Sequence, residues 1–350
     1  MITKAYSILT ANTLLVALVL ILASFPSPAL TAAPSREKLT LQIHSDRMGN
    51  AGYFGGNFIA DVLKKYVPWI QATNIEGGGH IGNIKRFVDK PELKTSGFFY
   101  SSSVAIRMAE RGDKPMTAPY TDMRAMFCTG KSGVVWATLD KNIKSGSDLI
   151  GKKFSVSQQG YSFFGVQEDM LRAWEIYDKV QRQYIPTSKN NDALMDGMVK
   201  AAYQLLTANS TLSVTIPTPG FDELFAQSRP IYLIDQGKKE LDKAQVKYGW
   251  PIDIFQVKPG VWGPGKPANE QPIWSYAFAN GWFCDKTLPE DIVYEIVKIL
   301  YEHLPEAAGY WPGGKLYERE GMNAIPIPLE TWHPGAVKFL KEKGMSVGKK

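Results

Sequence analysis

Residues 39–75 read LTLQIHSDRMGNAGYFGGNFIADVLKKYVPWIQATNI, and the order of patterns inside them sets the fold. Leu39 to His44 has the length and apolar content of a strand, and a glycine-rich turn follows it. From Asn57 to Tyr66 the apolar residues Phe58, Val62 and Leu63 fall on one side of a helix, and Pro68 stands just past its stop. Ile70 to Ile75 is a second strand. Strand, turn, helix and strand in that order build an α/β lobe rather than a sandwich or a bundle.

Working outward, the same grammar predicts a helix over Ile81–Val88, a strand over Gly97–Tyr100 that enters the serine run Ser101–Ser103, and a helix over Val104–Arg111 that stops at Gly112. It then repeats. Gly133–Thr138 and Lys153–Ser157 read as strands, Ser145–Asp148 as a short capped helix and Phe163–Trp174 as a longer one. Asn191–Val199, Ala201–Leu206 and Pro219–Ala226 read as helix, strand and helix. Gly249–Gln271, rich in Pro, Gly and Trp, reads as one long ordered loop with Trp262 as a buried plug. Ile273–Cys284 is a strand with alternating aromatics, and Pro289 opens a final long helix over Glu290–His303. The expected organisation is a signal peptide over 1–33, a first lobe from 34–136 and 285–350, and a second lobe from 137–284. A hinged cleft between such lobes is where ligands bind.

Composition narrows the class. A chain of 350 residues that is 44% hydrophobic and 21% charged is neither disordered nor fibrous, and it is too long for one compact core. Its net charge of +6 is spread over 40 Lys plus Arg and 34 Asp plus Glu without a long run of either sign, which suits mildly anionic solutes and gives no nucleic-acid signature. Cys128 and Cys284 form no CxxC pair and the four histidines no HExxH, so neither a metal nor a cofactor is expected. Met1–Ala33 carries Lys4, the apolar run Leu14–Ala23 and then Pro26, Pro28 and small residues. That is a cleavable secretory signal, since an anchor spanning a bilayer needs roughly 20 apolar residues. The mature chain is therefore expected to be soluble and periplasmic, a compartment in which the two cysteines are free to pair if they are close.

Two strings invite an enzymatic reading. GGGHIG, Gly77–Gly82, satisfies GxGxxG after a strand and before a helix, but about 20 residues on, where a ribose-binding acid belongs, stand Ser101–Ser103. It is read as a tight turn that brings backbone amides to the cleft. GYSFFG, Gly160–Gly165, has the spacing GxSxxG rather than that of a nucleophile elbow. A catalytic Ser162 would need His44, His80, His303 or His333 as base, and none sits in a partner motif, so Ser162 is read as a helix cap and the chain as a binding protein rather than an enzyme. A secreted serine hydrolase is the weaker alternative. The stronger signal is recurrence: the loops Asp46–Gly56, Ser101–Ser103 and Ser157–Ser162 each follow a strand, carry small or hydroxyl residues and lead into a helix. Helix N-termini expose unpaired N–H groups and about half a positive charge each, so three of them facing one cleft hold a carboxylate. Tyr53 and Tyr161, in glycine-flanked loops, are placed to sandwich its body.

On these residues the chain resembles the solute-binding subunits of TRAP transporters of the TAXI type. The resemblance runs through GNAGYFGGNFIADVL (Gly49–Leu63), KYVP (Lys65–Pro68), GGHIGN (Gly78–Asn83), GFFYSS (Gly97–Ser102), MRAMF (Met123–Phe127) and SGSDLIGKKFSVSQQGYS (Ser145–Ser162). It continues through LPEDIVYEIVKILYEHL (Leu288–Leu304) to IPIPLETWHPGAVKFLKEKG (Ile325–Gly344), the most specific segment, and so covers nearly all of the mature chain. It implies a type II periplasmic-binding-protein fold whose two α/β lobes close on a small organic anion and deliver it to a membrane permease of the TRAP type, with the receptor a monomer. It also implies ligand contacts at Asn50 and Tyr53, at Tyr100, Ser101 and Ser102, and at Ser157, Gln158, Gly160, Tyr161 and Ser162. Asp46 and Arg47 in the first loop, and Gly160–Phe163 where the family usually has Gly-Ser-Gly-Thr, depart from its pattern and point to a less polar or aromatic carboxylate. A tripartite tricarboxylate-type receptor and a sensor-linked binding protein are the neighbouring alternatives.

Overall fold

In the computed structural model, which describes residues 37–227 and 229–348, the first strand is β1 (Leu39–His44) and the first helix α1 (Ala51–Tyr66). The expected signal peptide lies outside the described residues. β2 (Ile70–Ile75), α2 (Gly79–Asp89), β3 (Gly97–Ser102) and α3 (Ser103–Arg111) follow, each leading directly to the next. β1 pairs in parallel with both β2 and β3, so the connections between them cross over the faces of the sheet as helices. All six residues of β3 are buried.

Two long strands tie this half to the other. β4 (Met123–Thr138) and β11 (Ile273–Asp285) run antiparallel to each other and change partners midway. β11 pairs with β3 over Asn280–Phe283, and with β10 (Ile252–Val257) over Ile273–Phe278. Lys131–Thr138 of β4 pairs with β7 (Ala201–Ala208), which lies parallel to β5 (Lys153–Val156), itself parallel to β6 (Gln181–Tyr184). The strand order β2-β1-β3-β11-β4-β7-β5-β6 is thus one continuous ladder with a parallel set at each end, and the short strands β8 (Thr215–Pro217) and β9 (Tyr232–Ile234) pair with β7 and β4 beside it. The α/β fold with two lobes on the type II pattern is what the sequence leads one to expect.

Strand direction places the cleft. β4 starts in the first half and ends in the second; β1–β3 run with it and β5–β7 against it. The C-terminal ends of the two parallel sets therefore point at each other. The helices that follow these ends are α1, α2 and α3 in the first half, and α4 (Phe164–Ala173) and α5 (Thr187–Met195) in the second. Helices α6 (Pro219–Phe225), α7 (Lys238–Tyr248), α8 (Glu290–His303) and α9 (Pro334–Glu342) start elsewhere. Two cores flank the sheet: Val134 and Trp136 of β4 belong to the larger, while Val135 and Ala137 point into a smaller one with Leu206, Phe221, Phe255 and Ala277.

Four expectations are corrected. The helix expected from Asn57 begins at Ala51, with Gly52, Gly55 and Gly56 inside it. Gly249–Gln271 is not one loop, since Ile252–Val257 is a strand whose alternation was hidden among Pro, Gly and Trp. The strand expected over Gly133–Thr138 starts ten residues earlier, at Met123, because β4 serves both halves. Trp262 is half-buried rather than a fully buried plug, its ring against Phe221 and Phe225 and its Nε1 donating to the Thr215 carbonyl at 3.1 Å. Cys128 and Cys284 are free and buried; one lies opposite Gly281 and the other opposite Arg124, an offset that keeps them apart.

Candidate functional site

The glycines of α1 explain how its first turns reach the cleft floor. A methyl group at Gly52 would fall 2.8 Å from the Asp46 Cβ and closer still to the Tyr100 ring, so only glycine lets this turn lie on Tyr100. At Gly55 it would stand 3.2 Å from the Tyr317 hydroxyl. Asn83 of α2, fully buried, fastens the strand ends below: its Nδ2 donates to the carbonyls of His44, Ser45 and Tyr100 at 3.1, 2.6 and 2.9 Å, and its Oδ1 accepts from the Gly78 amide at 3.2 Å. One amide side chain thus satisfies backbone groups from β1, β3 and the Gly77–Gly82 turn, groups that are costly to bury unpaired.

That turn delivers His80 to the other half. Its Nδ1 lies 3.1 Å from the Ser162 Oγ, across the cleft, and its ring stands edge-on to Tyr100 and Phe278 at 5.3 and 6.5 Å between centroids. Burial lowers the affinity of His80 for a proton, and the nearby Asp46 carboxylate acts in the opposite sense. A second link crosses nearby: Asn209 Nδ2 and Ser210 Oγ donate to the Glu318 carboxylate at 2.9 and 3.0 Å. On the α3 side, Ser103 Oγ donates to the Pro251 carbonyl at 2.8 Å and Arg111 to the Tyr248 carbonyl at 3.2 Å. The two halves are therefore in contact.

Between these links lie Asp46, Tyr100, Thr129, Tyr317 and Asn280. Burial pushes the Tyr100 and Tyr317 phenols up, with the nearby Thr129 hydroxyl acting in the opposite sense, so each stays protonated at neutral pH. Asn280 donates through Nδ2 to the Ser132 Oγ at 2.8 Å, but its buried Oδ1 has no partner among the described residues, and neither has the Ser157 hydroxyl, fully buried at the end of β5. An orphaned buried polar atom costs about 1–3 kcal/mol unless a ligand or water meets it.

The structure divides the ten expected contacts. Tyr100 joins the floor, Ser162 meets His80, and Tyr161 is half-buried 5.9 Å from Phe163, which stacks on Phe278. Tyr53 is half-buried on the first turn of α1, where its carbonyl accepts from Asn74. Gln158 is half-buried, and Gly160 is exposed with φ +99°. Asn50 is an exposed N-cap whose side chain caps nothing. Ser101 donates to the His80 carbonyl at 3.4 Å and Ser102 caps α3 through the Ala105 amide at 3.3 Å, so both hydroxyls already serve the protein. Asn83, Thr129, Asn280 and Tyr317 were missed; of these only Asn280 carried a signal, as a polar residue inside the apolar strand YAFANGWF.

Helix starts differ by location. None of α1–α5, which begin at the facing strand ends, has an acidic residue in its first turn, and only α3 has a side-chain cap. Elsewhere α6, α7 and α8 carry Asp222, Glu240 and the pair Glu290 and Asp291 there, and α9 is capped by His333. Uncapped starts without acid leave amides and positive dipole ends turned toward the cleft.

Residues 48–344 match the NMT1-like family. Among solved structures, the periplasmic aliphatic sulphonate binding protein SsuA from Escherichia coli is similar at 12% identity and a TM-score of 0.45, over 87% of this chain and 84% of that one. SsuA from Xanthomonas axonopodis pv. citri, bound to MOPS, gives 12% and 0.46 over 87% and 84%. A TRAP periplasmic solute binding protein from Desulfovibrio salexigens, in complex with diglycerolphosphate, gives 12% and 0.41 over 89% and 86%.

Proposed function

Because the chain belongs to the NMT1-like family, we propose that it is a periplasmic solute-binding protein, which captures a small organic anion between its two lobes and delivers it to a TRAP-type membrane transporter. The lobes meet where β4 and β11 change partners, near Gly130 and Asn280. The observation that carries the reading is the contrast in helix starts: the five that open onto the facing strand ends lack first-turn acids, and three of the other four have them. A carboxylate among those amides gains charge-assisted hydrogen bonds of roughly 1.5–3 kcal/mol each. The unpartnered Asn280 Oδ1 and the Asp46 carboxylate favour a solute that also bears a hydroxyl or amino group, and Tyr53 and Tyr161 cover its body.

No helix among the described residues is long and apolar enough to cross a membrane. Against a hydrolase stands the placement of Ser162 and His80 on opposite lobes: opening to admit substrate would part nucleophile from base. A thermal-shift screen of carboxylates, sulfonates and neutral sugars tests the proposal. Carboxylates are expected to raise Tm, because a ligand bound only by the folded state stabilises it by mass action. Stabilisation by neutral solutes alone would overturn the anion assignment.

A further inference from the structure

His80 is the residue through which the Gly77–Gly82 turn reaches across the cleft, and its environment differs from that of a surface histidine. Ser162 meets its Nδ1 from the β5–α4 loop, Phe278 of β11 and Tyr100 of β3 stand edge-on to its ring, and Ser101 holds its carbonyl. Asp46, from the β1–α1 loop, is the charged group that acts on it; Tyr100 is the other titratable group in contact and is kept neutral by burial. Within α2 the charged side chains Lys85 and Arg86 have other partners, the Pro115 carbonyl at 3.4 Å and His44 at 2.9 Å.

We propose that the His80–Ser162 contact is a proton-sensitive clasp, holding the lobes together while the imidazole is neutral and releasing them in acid. The inference rests on the solute-binding reading above and concerns the regulation of the same site. Closure half-buries His80 and sets its ring between two aromatic edges, which disfavours its charged form; opening returns it to solvent. The proton affinity of His80 is accordingly lower closed than open, its neighbour Asp46 offsetting only part of the burial. The open form binds the extra proton, so the closed population falls as pH drops below the ordinary histidine value, by up to about tenfold per unit until the lowered value is passed. A receptor of this kind retains its solute near neutrality and releases it in an acidified space.

The test needs no ligand. Histidine ring NMR resolves four residues, and the His80→Gln variant identifies one of them. The expected result is that His80 titrates below the ordinary value while the X-ray scattering radius of gyration increases across the same pH range. In His80→Gln, whose amide still reaches Ser162, that increase disappears; in Ser162→Ala the molecule is more open at every pH. A radius that does not change with pH, an unaltered step in His80→Gln, or a His80 that titrates at or above the ordinary value overturns the proposal. Its fate is separable from that of the solute-binding reading: an intact pH step with no stabilising solute would sink the latter and spare the clasp.

Discussion

Single residues decide how this site is held. His44, buried at the end of β1, lies 3.1 Å from Gln42 Oε1 and 2.9 Å from Arg86 Nη1, and burial, followed by the charges of Arg86 and Lys90, lowers its pKa to about 4. Since the unfolded chain protonates this histidine near 6.5, the folded state loses stability as pH falls from there toward 4, by about 3 kcal/mol in all. Urea unfolding of wild type and His44→Gln at pH 7 and 4.5 checks this: the variant should show the smaller loss. The sequence displays His44 and His80 as two equivalent histidines. What separates them is a guanidinium from α2 in one case and a serine from the opposite lobe in the other, partners 42 and 82 positions away that no local pattern reveals.

At the scale of elements, what was legible follows from burial. β3 is buried along its whole length and reads as an apolar run, β1 carries its buried Leu41 and Ile43 on alternate positions, and α8, with one face on the core, reads by its spacing. The start of α1 was illegible because its glycines answer a tertiary demand, the close passage of a helix over Tyr100, rather than a local one. Gly52→Ala is expected to destabilise by about 1–3 kcal/mol through overpacking and to weaken the thermal-shift response to any solute, because the turn must lift away from Tyr100. Denaturation and the ligand screen on this variant measure the two effects separately. The rest of the candidate site was harder to read: Ser157 and Ser162 were visible as a polar turn, whereas Asn280 and Tyr317, both beside Thr129, come from far along the chain.

For the whole molecule, the sequence implied two lobes through its repeated grammar, but only pairing reveals that β4 and β11 belong to both. The same register separates the cysteines. Burial raises Cys128 to about 11 and Cys284 well above the usual thiol range, which keeps both protonated and unreactive at neutral pH. A thiol reagent at pH 7 should therefore label neither in the native protein and both after unfolding, and mild oxidation should leave an intramolecular disulfide undetectable by mass.

The strands that pass from one lobe to the other have a mechanical consequence. Because β4 and β11 run through the sheet without a break, separating the lobes need not rupture any rung between them; it requires only torsion of a paired ribbon near the irregularity at Asn280 and Gly281. A twisting ribbon keeps its register, so the two halves stay aligned by continuous backbone rather than by side-chain contacts alone.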